Sequence, residues 1–248
     1  MERIADFVFP SIGNFEGQDI EGERMERIET FEFNGYEATV IIPEKPNGKW
    51  IWKTEFLYAF DQAERALLEE GYTRVYYQIS DKYGSYNAVR LMKKFYGHVV
   101  KRFSLNEQCV LFGFSRGGLY AFNFTLFYPG CVEKIYLDAP VLDLKTWPPK
   151  GSIEQGQMFE EYGLNEETLK VFKGNPIDNL KEFFGLAIPL LIIAGGQDEV
   201  VPFEKNAGKL IQYCKDENID ITVIIKEECK HHPHSLEKVE PIVGFVIE

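Results

Sequence analysis

Between Cys109 and Tyr128 the chain passes from an apolar run, Cys109-Val110-Leu111-Phe112-Gly113-Phe114, through one serine into a second apolar run that closes at Pro129-Gly130. The first run has the length and character of a buried strand. The second has those of a helix stopped by two strong punctuators of secondary structure. The turn between them is a single residue, Ser115, with Gly113 and Gly117 two positions away on either side. A side chain at either glycine would collide with the adjoining strand or helix, and the strained turn lifts the Ser115 hydroxyl away from the sheet. The helix N-terminus that follows offers backbone N–H groups and the positive end of its dipole to a developing negative charge.

Strand and helix signals alternate on both sides of this turn, the mark of an α/β fold. Residues 24–33 and 36–43, split by Asn34-Gly35, read as an antiparallel hairpin, because Asn-Gly favours the positive φ angles of a tight turn. Strands are expected at 49–52, 74–79, 109–114, 134–140, 189–196 and 221–226. Helices are expected at 56–70, 88–103, 117–128 and 203–216, with a last one in 240–248. The first of these rests on Phe56, Leu57, Phe60, Ala63, Leu67 and Leu68 recurring at helical spacing before Gly71. The interval from Val141 to Ile188 breaks the alternation: Trp147-Pro148-Pro149 precedes short helical pieces, and an insertion of that length inside a domain usually covers a site. It is read as a small lid.

The chain has 248 residues, 45% hydrophobic and 15% aromatic, which is enough to bury a large core in one domain spanning 1–248. Its formal net charge of −12 disfavours nucleic acid and anionic membrane as partners, leaving a small molecule. No stretch has the continuous apolar length of a membrane span, and the segment "MERIADFVFP" carries acids where a signal peptide has a basic flank, so a cytoplasmic protein is expected. Cys109, Cys131, Cys214 and Cys229 lie far apart without a C-x-x-C pair, and are expected to be reduced and mostly buried. No cofactor is called for, and the oligomeric state stays open.

A serine hydroxyl needs a base to become a nucleophile, and the base needs an acid to orient it. Of four histidines, His98 falls in a helix upstream of Ser115 and reads as a surface or groove residue. The other three, His231, His232 and His234, cluster in "KHHPH" between the last strand and the last helix. The acid candidates are Asp198, after the strand "LLIIAGG", and Asp138 in "YLDAP", both at the carboxyl ends of strands, where open parallel sheets build their sites. Three histidines on one short loop without a placed carboxylate make a weak case for a metal site, and none is expected. One oxyanion-hole N–H is expected from Arg116, the residue after the nucleophile, and a second from the stretch Trp52 to Thr54, centred on Lys53. The Arg116 side chain either binds an anionic substrate group or pairs with a nearby acid.

From about Tyr36 to the C-terminus the chain resembles the α/β-hydrolase superfamily. The segments "GFSRGGLYA", "YLDAPV", "NPIDNL", "DEVVP" and "HHPHSLE" look like those of a bacterial group of small hydrolases associated with carbohydrate esters. The resemblance implies a mostly parallel central sheet flanked by helices and serine-esterase chemistry without a cofactor. It also implies the chain order Ser115, Asp198, His231. "KHHPH" is similar to the Gly-His-x-Pro-His of such hydrolases, whose first histidine acts, and "GGQDEVVP" is similar to their acid loop. Two departures are visible: Lys230 stands where glycine usually precedes the histidine, and Trp50-Ile51-Trp52-Lys53 stands where Trp-x-Trp-Arg is usual. The expected substrate is a small carboxylic ester, an acylated carbohydrate among the candidates. A peptidase, thioesterase or acyltransferase with the same residues, and a non-catalytic binding protein of the same fold, are the alternatives. The lid aromatics Trp147, Phe159, Tyr162, Phe172, Phe183 and Phe184 fit a lid core more readily than a substrate platform.

Overall fold

Asn34 and Gly35 take positive φ angles of 49° and 84°, and the chain on either side folds back on itself in register, Phe33 against Tyr36 through Glu26 against Pro43. A computed structural model describes residues 26–248. This hairpin, β1 (Glu26–Phe33) and β2 (Tyr36–Pro43), is one edge of an eight-stranded sheet. The other strands are β3 (Trp50–Lys53), β4 (Thr73–Tyr77), β5 (Cys109–Phe114), β6 (Val132–Asp138), β7 (Leu190–Gly195) and β8 (Thr222–Lys226). Their spatial order is β1-β2-β4-β3-β5-β6-β7-β8. Strand β2 runs antiparallel to both of its neighbours, β1 and β4, and β4, β3, β5, β6, β7 and β8 are mutually parallel. This is the α/β fold anticipated from the strand–helix alternation, with the mostly parallel sheet that the resemblance to α/β-hydrolases implies.

Parallel strands need crossovers, and helices laid over both faces bury the sheet twice. Along β5, Cys109 and Leu111 join one core while Val110, Phe112 and Phe114 join the other. The first core is closed by α2 (Tyr86–Phe103), α3 (Gly117–Phe127) and α7 (Ala207–Glu217). The second is closed by α1 (Gln62–Glu69) and α8 (Glu240–Ile247) through Ala63, Leu67, Ile242 and Val246. Among the described residues no helix is long and apolar enough to cross a membrane.

The helix expected from Phe56 begins six residues later, at Gln62, and Phe56 and Phe60 instead take positive φ angles of 59° and 50°. Side chains claim the carbonyls that a helix would use: Lys53 Nζ donates to Ala59 O at 2.6 Å and Arg74 Nη2 to Leu57 O at 3.0 Å. The apolar spacing is real, but Leu57 is buried from a loop.

The insertion between β6 and β7 holds three short helices, α4 (Ile153–Tyr162), α5 (Glu166–Val171) and α6 (Leu180–Phe184). Ser152 and Asn165 cap the first two through their side-chain oxygens. The segment is tied down by Asn206, whose Oδ1 accepts from Leu142 N and Asp143 N, and by Asn175, whose Oδ1 accepts from Leu144 N. Its aromatics pack inward: Phe183 stacks on Phe122 of α3 with ring centroids 4.0 Å apart, and Tyr162 meets Phe172 edge-on at 5.8 Å. Cys109, Cys131 and Cys214 are buried and Cys229 is partly so, all as free thiols.

Candidate active site

Ser115 stands between β5 and α3 with φ 49°, in the left-handed region that a residue with a side chain enters only under constraint. Three backbone bonds impose it. Ser115 N donates to Asp138 O on β6 at 2.9 Å, and Ser115 O accepts from Gly118 N at 3.0 Å and Val141 N at 2.8 Å. The flanking glycines are required by contact. A Cβ on Gly113 would lie 2.9 Å from Ala121 Cβ and Leu137 Cδ2, and one on Gly117 would lie 2.8 Å from Thr54 Oγ1. Gly118, which the two-glycine pattern does not single out, is tighter still, with Pro140 Cβ at 2.5 Å.

From the strained turn the hydroxyl reaches Nε2 of His231 at 3.0 Å, and Nδ1 of that ring reaches Asp198 Oδ2 at 2.6 Å. The tautomer that satisfies both contacts carries its proton on Nδ1, leaving Nε2 to accept from the serine. The remaining oxygen of Asp198 accepts from Val200 N at 3.0 Å and Val201 N at 2.9 Å, so the acid is held by its own loop. All three side chains are at least nine-tenths covered. The acid loop and the histidine loop also touch through backbone: Gln197 N donates to Cys229 O at 2.9 Å, and a Cβ on Gly195 would fall 2.0 Å from Lys230 O.

Asp138, the other acid candidate, is fully engaged elsewhere. Its Oδ1 lies 2.7 Å from His234 Nδ1, and its Oδ2 accepts from Tyr136 OH at 2.5 Å and Ser235 N at 2.8 Å. It anchors the histidine loop. His232 is exposed and lies over Phe60, rings 5.8 Å apart and 17° from parallel. His98 sits far from this cluster, against Phe31 and Phe33 of the edge hairpin. Burial lowers its pKa.

The expected oxyanion donors part company. Arg116 immediately precedes α3 and follows the serine, as expected. Lys53 does not serve. Thr54 N donates to Phe112 O on β5 at 3.0 Å, and in a parallel ladder successive N–H groups turn to opposite sides, so the Lys53 N–H faces β4, away from Ser115. The Lys53 side chain is turned away as well: Nζ lies 4.2 Å from the Phe114 ring centre and 2.5 Å from Glu64 Oε1 beneath the sheet. The stretch that does reach the turn is Thr54-Glu55, the end of the expected stretch and the residue just beyond it. Thr54 Oγ1 donates to Gly117 O at 2.8 Å, and Glu55 N is 3.5 Å from where a Gly117 Cβ would be.

Glu55 also settles what the Arg116 side chain does. Arg116 Nη2 donates to Glu55 Oε2 at 3.3 Å and Ser80 Oγ donates to the same oxygen at 2.8 Å. Glu55 Oε1 is buried with no partner among the described residues. Desolvation pushes the Glu55 carboxyl above its usual range, with the Arg116 charge pulling it back. The guanidinium meanwhile lies 5.2 Å from the centre of the Phe56 ring.

The sequence model of the prolyl oligopeptidase family, peptidase S9, matches residues 70–246. No curated protein sequence matches the chain. Among solved structures, the chain is similar to a puromycin-hydrolyzing peptidase of Mycobacterium tuberculosis, with 14% identity, TM-score 0.64, and 88% of this chain aligned to 37% of that one. It is also similar to a fluorophosphonate-binding serine hydrolase of Staphylococcus aureus, with 14% identity, TM-score 0.63, and 84% of this chain aligned to 92% of that one. A third likeness is to an S-formylglutathione hydrolase of the same organism, with 17% identity, TM-score 0.58, and coverage of 84% and 89%. The chain thus spans about a third of the peptidase and most of the two smaller hydrolases.

Proposed function

Taking as premise that the chain belongs to the prolyl oligopeptidase family and is a serine hydrolase of the α/β-hydrolase type, we propose that it cleaves carboxylic esters of small molecules through an acyl-enzyme. The observation that carries this reading is the hydrogen-bonded line from Ser115 Oγ through His231 to Asp198, ending at a serine held in a strained turn. In the first half-reaction His231 Nε2 takes the hydroxyl proton as Oγ bonds to the ester carbonyl carbon. Asp198 holds the ring in the productive tautomer and faces the imidazolium that forms. Collapse of the tetrahedral intermediate breaks the bond to the leaving oxygen, which takes the proton from Nε2 and departs as the alcohol. Water then repeats the sequence on the acyl-serine and releases the acid.

The oxyanion is assigned to Arg116 N and to the N–H of Glu55, which lies beyond the last residue of β3, has no backbone acceptor among the described residues and sits 3.5 Å from where a Gly117 Cβ would be. The Glu55–Arg116 ion pair joins the two segments that carry these donors, at 3.3 Å. Loss of one such donor typically raises the barrier by about 3 kcal/mol. Peptide-bond cleavage by the same residues is the second reading, favoured by the family to which the chain belongs. A cytoplasmic setting and an acylated carbohydrate as natural substrate remain part of the proposal, drawn from the resemblance of the motifs.

The deciding experiment is hydrolysis of p-nitrophenyl esters from acetate to octanoate, of acetylated sugars, and of aminoacyl p-nitroanilides, by wild type and Ser115→Ala, each shown to be folded. Ester turnover that falls by at least about a thousandfold in the variant supports the reading. Turnover of anilides alone moves the assignment to the peptidase, and ester turnover that survives in Ser115→Ala removes Ser115 from the mechanism.

A further inference from the structure

Three histidines converge on the loop after β8 in a way that the hydrolytic reading uses only once. The ring centroids of His231, His232 and His234 are mutually 4.8, 4.8 and 4.9 Å apart, with interplanar angles between 70° and 86°. One ring nitrogen from each lies within 4.8 Å of the others. Two of the rings carry a buried carboxylate on Nδ1, Asp198 on His231 and Asp138 on His234. That is how metal-bound imidazoles are usually held: the carboxylate fixes the tautomer, orients the ring and raises the basicity of the far nitrogen. The third ring, His232, is exposed, makes no side-chain hydrogen bond among the described residues, and lies over Phe60 beside the other two rings. It is the ligand free to move.

We propose that His231, His232 and His234 form a binding site for a zinc ion, and that zinc held there takes His231 away from Ser115 and switches the hydrolase off. Zinc prefers neutral imidazole nitrogens in a tetrahedral array with nitrogens about 3.4 Å apart, so the three rings must draw closer together to hold it. His232, the exposed ring of the three, is the one placed to move. Since Asp198 holds His231 Nδ1, coordination uses Nε2, the atom that otherwise receives the serine proton. No bond is made or broken in substrate and no redox step is involved: the ion competes with a proton for one lone pair. A chain with net charge −12 draws divalent cations toward its surface. The inhibitory consequence rests on His231 being the base; the binding does not.

The test separates the two. Tag-free Ser115→Ala protein, which keeps all three rings, is titrated calorimetrically with zinc chloride, with magnesium chloride as the control for unspecific charge attraction. One zinc per chain and no magnesium heat are expected, with His232→Ala in the same background binding at least tenfold more weakly. In parallel, ester hydrolysis by wild type is expected to fall on zinc addition and recover with EDTA. His232→Ala, measured against its own activity in EDTA, should need at least tenfold more zinc for half-inhibition. Cys229→Ser should behave as wild type, since Cys229 lies on the same loop and is the obvious rival ligand. His232→Gln, with circular dichroism, covers any misfolding of the alanine variant. Absence of zinc binding to Ser115→Ala overturns the proposal, as does inhibition of His232→Ala at the wild-type zinc concentration. A protein that binds zinc as described but hydrolyses no ester leaves the site standing and sinks the esterase reading instead.

Discussion

Asp138 and Asp198 close neighbouring strands and each holds one imidazole by Nδ1, at 2.7 and 2.6 Å, yet only the ring on Asp198 meets the serine. Their other contacts sort them. Asp198 is fixed by two N–H groups of its own loop, so its exchange for Asn disturbs little besides the histidine tautomer. Asp138 fixes Tyr136, His234 and Ser235 at once. Asp198→Asn is therefore expected to lower kcat by about a thousandfold or more while the melting temperature stays close to wild type. Asp138→Asn is expected to show the reverse balance, a stability loss of about 2 kcal/mol with a smaller loss of rate, because buried partners are left unsatisfied. Paired kinetics and thermal melts read both, and the opposite pattern would exchange the two assignments. At this scale the sequence exposed a good deal, since strand ends and a histidine cluster are visible as residue types. It could not show which of two acids faces which ring. Glu55 was invisible because its role comes from burial against Arg116, and nothing in "KTEF" announces burial of a carboxylate.

The elements carry the same lesson with a physical cause. Strand β5, the serine turn and helix α3 were legible because each uses the chain's strongest local signals: a continuous apolar run, glycine at close approaches and a Pro-Gly stop. The stretch from Phe56 to Phe60 has helical spacing without being helix, because periodicity records which residues are buried, not the route that buries them. Here Lys53 and Arg74 hold its carbonyls and the backbone turns through positive φ twice. The Ser115 turn and this loop meet at Gly117, which makes that glycine a test of how the two are joined. Alanine there would press on Thr54 Oγ1, whose hydroxyl lies within bonding distance of Phe112 O and Gly117 O. Gly117→Ala is expected to cost about 1–3 kcal/mol of stability, as overpacking does, and to lower kcat more than it raises KM because the loop bearing Glu55 N is displaced. Denaturant titration and steady-state kinetics on the same sample check it; an unchanged kcat would detach the loop from the oxyanion.

Across the whole molecule the sheet is charged beneath its active edge. Lys53 and Glu64 pair at 2.5 Å with 2% and 0% of their side chains exposed, and Asp61 bonds Arg74 at 3.1 Å nearby. The order of the strands, with β3 placed between β4 and β5, brings Lys53 over α1, and no local signal in the chain reveals that order. Desolvation lowers the Lys53 pKa below its usual 10.5, with Glu64 pulling it back, and desolvation raises Glu64 above its usual 4.5, with Lys53 pulling it back. The stability linked to Lys53 is present above 10.5 and is lost as pH falls through its folded value. That linked to Glu64 is present below 4.5 and is lost as pH rises through its folded value. In the wild type the two slopes oppose each other. Glu64→Gln keeps the lysine slope alone and steepens it, because the countercharge is gone. The variant should therefore be about 3–5 kcal/mol less stable than wild type at pH 7, and the deficit should shrink steadily as the pH is raised toward 9.5. Adding Lys53→Met should recover much of the loss and flatten the slope, since an apolar chain beside Phe114 needs no partner. Urea melts of the three proteins across that pH range would show it, and a deficit that does not change with pH would mean that Lys53 keeps its proton in the folded chain without Glu64.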